Sequence, residues 1–178
     1  MHQFREGFHR QVSVYLRLAL FAGFFASVTD RFGLWGASGA ANVAWGNFRD
    51  FGAYTARLNP WAPSWLIPPI VWFVTVAEIA LSLALLLGIF TRAAAFFSGV
   101  LILLFGLGMT IGTGVKSALN ASVFAASAAA FALATMADLP LSLDRAVRKH
   151  GRTDRSPGAA SFRGDIKRPA ESTGSSDR

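Results

Sequence analysis

Four stretches of about twenty residues, nearly free of charge, limit what this chain can become: 12–32, 69–90, 93–111 and 118–137. At 1.5 Å rise per residue each is long enough to cross a hydrocarbon core about 30 Å thick. Charged residues make up only 15% of the chain, against roughly 25% in an average soluble domain. Most of those charges sit near the two ends, which leaves the middle suited to lipid. The sequence therefore predicts an all-α integral membrane four-helix bundle. Gly88–Arg92 and Gly112–Ser117 leave room only for tight reversals, so the last three spans are antiparallel neighbours.

The first run reads as a span rather than a cleaved leader. Arg17 abuts its most apolar part, Asp30 and Arg31 follow it, and the small residues Ser38-Gly39-Ala40 lie far downstream for a cleavage site. With four crossings both termini share one side. Twelve Lys and Arg fall on that side, nine of them after residue 144, against Arg31, Arg49, Arg57 and Lys116 on the other. The positive-inside rule then places both ends in the cytoplasm and the protein in a cytoplasmic (inner) membrane. Residues 1–11 form a short cytoplasmic segment, 12–149 the membrane domain, and 150–178 a basic tail too poor in apolar residues to order itself. Ser142 caps a last turn ahead of that tail, with Asp144 near its positive end.

The long connection from Gly33 to Pro68 is rich in aromatics: Trp35, Trp45, Trp61 and Trp65, with Phe48, Phe51 and Tyr54. Within it Asn47–Leu58 has the pattern of a short interfacial helix, with Phe48, Phe51 and Leu58 on one stripe. An aromatic belt at headgroup depth is the favoured reading of the tryptophans, and a dedicated binding lid is the other.

Several kinds of chemistry are excluded. The chain has no cysteine, so it carries no disulfide, thiolate metal site or thiol chemistry of its own. His2, His9 and His150 all lie outside the apolar runs, so a buried haem or metal centre would lack histidine ligands. No phosphate loop, catalytic triad order or metal-ligand spacing appears. The net charge of +7 comes from the basic end beside the last span, which reads as a topology signal and not as nucleic-acid binding.

The stretch Ala77-Glu78 through Leu87-Gly88-Ile89-Phe90-Thr91-Arg92 resembles the DoxX family of small four-helix membrane proteins. Arg17 early in the first span, Glu78 inside the second, Leu-Gly-x-x-Thr-Arg at the turn and the closing Ser142-Leu143-Asp144 follow that family's pattern. Asn42–Gly46, Leu58–Trp61 and Ser122–Phe124 resemble a subgroup with a long aromatic first loop. The resemblance covers about residues 12–146. It implies an accessory or quinone-adjacent subunit of a membrane redox system, with quinone as the cofactor and redox subunits as partners. A permease and a purely structural subunit are the rival readings.

The residues that could carry chemistry are few. Glu78 lies near the bilayer midplane, where a central charge costs about 2.5–3.5 kcal/mol to insert. Arg17 is offset from it by about 10 Å along the bundle axis, a gap two long side chains can nearly bridge. Two readings stay open: a polar site formed by Arg17 and Glu78, or Arg17 snorkelling to headgroups while Glu78 accepts from Ser82, Thr75 or another helix. A quinone site would be an aromatic cavity near Trp72, Phe73 and Glu78, with Thr75 and Ser82 beside it. Asp30, Arg31 and Lys116 read as interfacial charges. Gly108-x-x-x-Gly112 and the series Ala121, Ala125, Ala129 read as packing faces within the bundle or between copies of the chain.

The twelve-to-four bias in basic residues gives a direct test. A reporter fused after Lys149 should behave as cytoplasmic and one inserted at Trp45 as extracytoplasmic; the reverse would overturn the orientation.

Overall fold

A computed structural model of the protein describes residues 2–136, with side chains from residue 7 onward. The Ser142–Asp144 motif and the 150–178 tail lie outside the described residues. All regular elements among them are helical: α1 (His2–Arg31), α2 (Phe48–Leu58), α3 (Ile67–Leu87), α4 (Thr91–Thr113), α5 (Val115–Asn120) and α6 (Val123–Thr135), with a single 3-10 turn at Ser64–Leu66 leading into α3. Three helices are long and apolar enough to cross a membrane, at 7–31, 64–87 and 91–113, and this is a membrane protein.

One helix boundary and one continuity differ from the sequence reading. The helix of the first span starts at His2, so the residues taken as a separate N-terminal segment extend it by almost three turns. The fourth apolar run is not one helix. It breaks at Ala121-Ser122, where Ser122 adopts φ 55°, leaving α5 as a six-residue piece and α6 with 13 residues. At about 20 Å, α6 alone is shorter than the hydrocarbon core.

Packing follows a repeat of four and three residues on facing stripes. On α1 the stripe is Ser13, Arg17, Leu20, Phe24, Ser27 and Arg31; on α3 it is Val71, Thr75, Glu78, Ser82 and Leu85. Antiparallel apposition of the two buries polar and apolar residues alternately along one seam. Leu20, Phe24, Leu85, Ala94, Ala95, Ala130 and Leu133 close into an apolar core at the half of the bundle nearer the α3–α4 turn. That turn needs a left-handed residue: Gly88, at φ 69°, lets its own N–H and that of Ile89 reach the Ala84 carbonyl, and α4 then begins at Thr91.

The small residues of α4 serve both its neighbours. Gly99 meets the ring of Phe131, Gly106 meets Val123 and Phe124, and the Ser127 hydroxyl donates to the Gly99 carbonyl at 2.8 Å, which seats α6. Gly108 and Gly112 instead receive the end of α2, where Leu58 and the Arg57 carbonyl lie directly against them. The Gly-x-x-x-Gly face is thus occupied within the chain. The buried face of α6 is Ser127, Ala130 and Leu133, and Ala121 and Ala125 of the expected packing series are exposed.

A Cβ at Gly112 would stand 2.2 Å from the Arg57 carbonyl oxygen, whereas one at Gly52 in α2 would meet nothing within 4 Å. Gly112→Ala should therefore destabilise the protein by about 1–3 kcal/mol as α2 is pushed off α4. Gly52→Ala should stabilise it by about 0.5–1 kcal/mol through helix propensity. Unfolding of the two variants in matched detergent decides whether α2 is seated here.

Candidate functional site

Construction of the site starts at the end of α1. Asp30 there turns its carboxylate to the following loop, where it accepts the backbone N–H of Trp45 at 2.7 Å and lies 3.4–3.5 Å from those of Ala44 and Gly46. One residue earlier, the Thr29 hydroxyl accepts the indole N–H of Trp35 at 2.7 Å. Together they tie the loop back onto the helix it leaves. Gly46, at φ 68°, completes the bend, because a Cβ there would lie 2.4 Å from the Ser38 nitrogen.

The loop then delivers α2. Asn47 caps it, accepting the Asp50 N–H at 2.8 Å and donating its side-chain amide to the Asp50 carboxylate at 2.9 Å. The Ser38 hydroxyl donates to the same carboxylate at 2.6 Å. Hydrogen bonds from Ser38 and then Asn47 hold the Asp50 carboxyl below its ordinary range. The cap fixes the phase of the helix so that Phe51, Thr55 and Leu58 face inward.

Under that helix lies an ion pair between Arg31 and Glu78. The Arg31 guanidinium, fully buried, donates through Nη2 to Glu78 Oε2 at 2.6 Å and to the Ser27 hydroxyl at 3.1 Å, and through Nη1 to the Thr75 hydroxyl at 2.9 Å. Phe51 covers the cation, with its ring centroid 3.6 Å from Cζ, and Trp45 stands 5.5 Å away. Trp45 meets Phe51 edge-on at 5.0 Å. Arg31 is thus enclosed by Glu78, two hydroxyls and aromatic faces, an arrangement that replaces much of its lost hydration.

Beside the pair is a cavity of about 400 Å³ between α2, α3 and α4. Its wall is mostly apolar and aromatic, formed among others by Phe51, Phe73, Leu101 and Phe105, and Glu78 is the sole charged residue on it. Phe73, Leu104, Leu107 and Ile111 also line it while being widely exposed, so the mouth opens sideways between α3 and α4 onto the lipid-facing surface.

Of the two readings open from the sequence, one paired Arg17 with Glu78 and the other gave Glu78 a donor from Ser82, Thr75 or another helix; Glu78 pairs with Arg31 of α1. Arg17 donates instead from Nε to the Leu85 carbonyl at 3.0 Å and from Nη2 to that of Leu86 at 3.2 Å, a cation at the negative end of α3. Arg31, expected at the interface, is pulled inward because it shares the buried stripe of α1 with Ser27 and Phe24. That phase was readable, since Arg31 stands four residues after Ser27 and seven after Phe24.

Of the expected cavity lining, Phe73 and Glu78 are on the wall. Trp72 points away, exposed, and packs on Phe48 at 4.8 Å between ring centroids. Thr75 is buried behind the wall against Arg31, and the Ser82 hydroxyl donates to the Ile79 carbonyl at 2.9 Å within its own helix. The tryptophans divide. Trp35, Trp61 and Trp65 are exposed, while Trp45 is part of the cover over Arg31. Tyr54 packs against Phe105 and Trp45, and burial pushes its hydroxyl above the ordinary tyrosine value.

No group of three or more metal-ligating side chains exists among the described residues. No known family model, curated protein or solved structure matches this chain.

If Arg31 and Glu78 are energetically one unit, Glu78→Leu should cost about 3–5 kcal/mol by leaving a buried cation unpaired. Arg31→Met added to it should restore most of that loss. Arg17→Leu added instead should simply deepen it. Thermal unfolding of the three variants distinguishes these outcomes, and additive losses for Arg31 with Glu78 would refute the coupling.

Proposed function

We propose that this chain is a DoxX-like protein of a cytoplasmic membrane, an accessory, quinone-adjacent subunit of a membrane redox system. In this reading α5 and α6 make a fourth crossing and both ends are cytoplasmic. The observation that carries the proposal is the laterally open apolar cavity with one carboxylate on its wall. A lipid-soluble ring could enter it from the membrane without passing through water, and the walls would exclude water once it is seated.

The composition supports the same assignment of roles. The chain has no cysteine, so it brings no thiol carrier; in this reading electrons come from a partner subunit and the bound quinone is the carrier. Phe51 and Phe105 would pack against the ring, and Glu78, fixed by Arg31, would meet its polar edge. A permease would need a polar route continuing past Glu78, and the Leu20, Phe24, Leu85 and Leu133 core weighs against one. A purely structural subunit would have no use for the cavity.

Purified protein in lipid nanodiscs should be stabilised by a short-tailed benzoquinone supplied in one redox state or the other, by about 2.7 kcal/mol at a hundred times its Kd. Leu104→Trp, which fills the mouth from an exposed position on α4, should abolish this stabilisation while the protein still folds. Absence of stabilisation by both redox states would overturn the proposal.

A further inference from the structure

Resting on the reading of the cavity as a quinone-type site, we propose that it selects a head group bearing a hydroxyl donor, the reduced hydroquinone state, over the carbonyl-bearing quinone. The hydrogen-bonding groups on the wall decide the preference. A quinone oxygen can only accept, so a site built for it must present donors. A hydroquinone hydroxyl needs an acceptor.

At the deep end the wall presents Glu78, whose carboxyl group accepts from the guanidinium 2.6 Å away. Arg31 could have supplied donors to a carbonyl, but it does not line the cavity. Its Nη1 donates to Thr75 and its Nη2 to Ser27 and Glu78, its Nε is buried without a partner, and Phe51 covers its face. Thr75 gives its own hydroxyl hydrogen to the Val71 carbonyl at 2.8 Å. The lining hydroxyl of Thr55 is likewise turned into its own helix, donating to the Phe51 carbonyl at 2.9 Å. Asn59 also lines the cavity and donates its amide to the Thr55 carbonyl at 2.9 Å. Trp61, the remaining lining residue with a side-chain donor, is two-thirds exposed at the loop end.

The deep end is therefore an acceptor in apolar surroundings. A hydroxyl placed there makes a charge-assisted hydrogen bond, whereas a carbonyl oxygen would turn its lone pairs toward a carboxylate and leave the carboxylate desolvated. Discrimination by a hydrogen bond to a charged group, about 1.5–3 kcal/mol, corresponds to roughly ten- to a hundredfold in affinity. Hydroxyls from two sources share this chemistry, a hydroquinone and a long-chain alcohol, and the experiment separates them.

Binding is measured by isothermal titration under anaerobic conditions, on the full chain in nanodiscs, with a short-tailed benzohydroquinone, its quinone, its dimethyl ether and a long-chain alcohol. The hydroquinone should bind at least tenfold more tightly than both the quinone and the ether. Glu78→Gln, which adds an amide donor at the same place, should narrow that ratio to within about threefold. Leu104→Trp, a variant away from the ion pair, should weaken hydroquinone binding at least tenfold and so locate it in this cavity. Tight binding of the alcohol as well assigns selectivity to the hydroxyl itself; binding of the hydroquinone without the alcohol assigns it to the hydroxyl on a ring. Equal or tighter binding of the quinone would overturn the inference while leaving the cavity's proposed function standing. Failure of both redox states to bind would overturn the two together.

Discussion

The Arg31–Glu78 ion pair is the contact on which the half of the molecule nearer the first loop is organised. A full charge in a membrane interior is tolerated only with a partner and hydrogen bonds, and each group here supplies what the other lacks. Their union fixes α1 against α3 at one register, because Arg31 must reach Thr75 and Glu78 on successive turns. It also creates a demand, since a buried guanidinium exposes flat faces that the pair itself does not cover. Phe51 and Trp45 meet that demand, and they can do so only if α2 and the loop before it are held in place. The Asp30 contacts to the loop backbone and the Asn47 cap are thus parts of one structure extending outward from a single charge.

Much of the helical architecture was legible because a bilayer leaves backbone groups few alternatives to a helix. The hydrophobic runs gave the three long helices, and the stripe of Phe48, Phe51 and Leu58 gave α2 with its cap residue. The break at Ser122 was not legible. Ala121-Ser122 carries no proline or glycine, and its left-handed residue serves the change of direction between α5 and α6, which is a tertiary requirement. The partner of Glu78 was missed for a different reason. Axial arithmetic compares depths and treats terminal charges as facing headgroups, whereas the repeat of four and three along α1 carries the azimuth and puts Arg31 on the inward stripe. Gly108 and Gly112 looked like a face for another transmembrane helix; they receive the end of α2, which the sequence could not orient.

The position of the cavity follows from how α4 uses its small residues. At the half of the bundle nearer the α3–α4 turn the two helices are joined by a tight reversal and share a filled core with α1 and α6. Toward the loop end α2 is packed against both, its last turn lying on Gly108 and Gly112. Space remains between the diverging helices below α2, and large side chains at its rim, Phe73, Leu104 and Ile111, turn toward lipid rather than filling it. The cavity is therefore a product of inserting the first loop's helix into the bundle, and the same insertion covers the ion pair beside it.

Stability alone does not account for the charges at that place. Replacing a buried ion pair by well-packed apolar residues of similar volume is often neutral or stabilising, so a chain needing only a firm contact between α1 and α3 could use leucine and methionine. The pair does something apolar residues cannot. It fixes a carboxyl group in apolar surroundings, held from behind by Arg31, which Thr75 accepts from in turn, and of the pair only Glu78 is on the cavity wall. An unpaired glutamate at this depth would take up a proton and offer a mixed donor and acceptor; one paired to a cation that itself lined the cavity would present donors as well. Only with the cation behind the wall and Glu78 on it does that end of the cavity present an acceptor with no charged donor beside it on the wall, and that asymmetry is what the burial of Arg31 beneath Phe51 and Trp45 maintains.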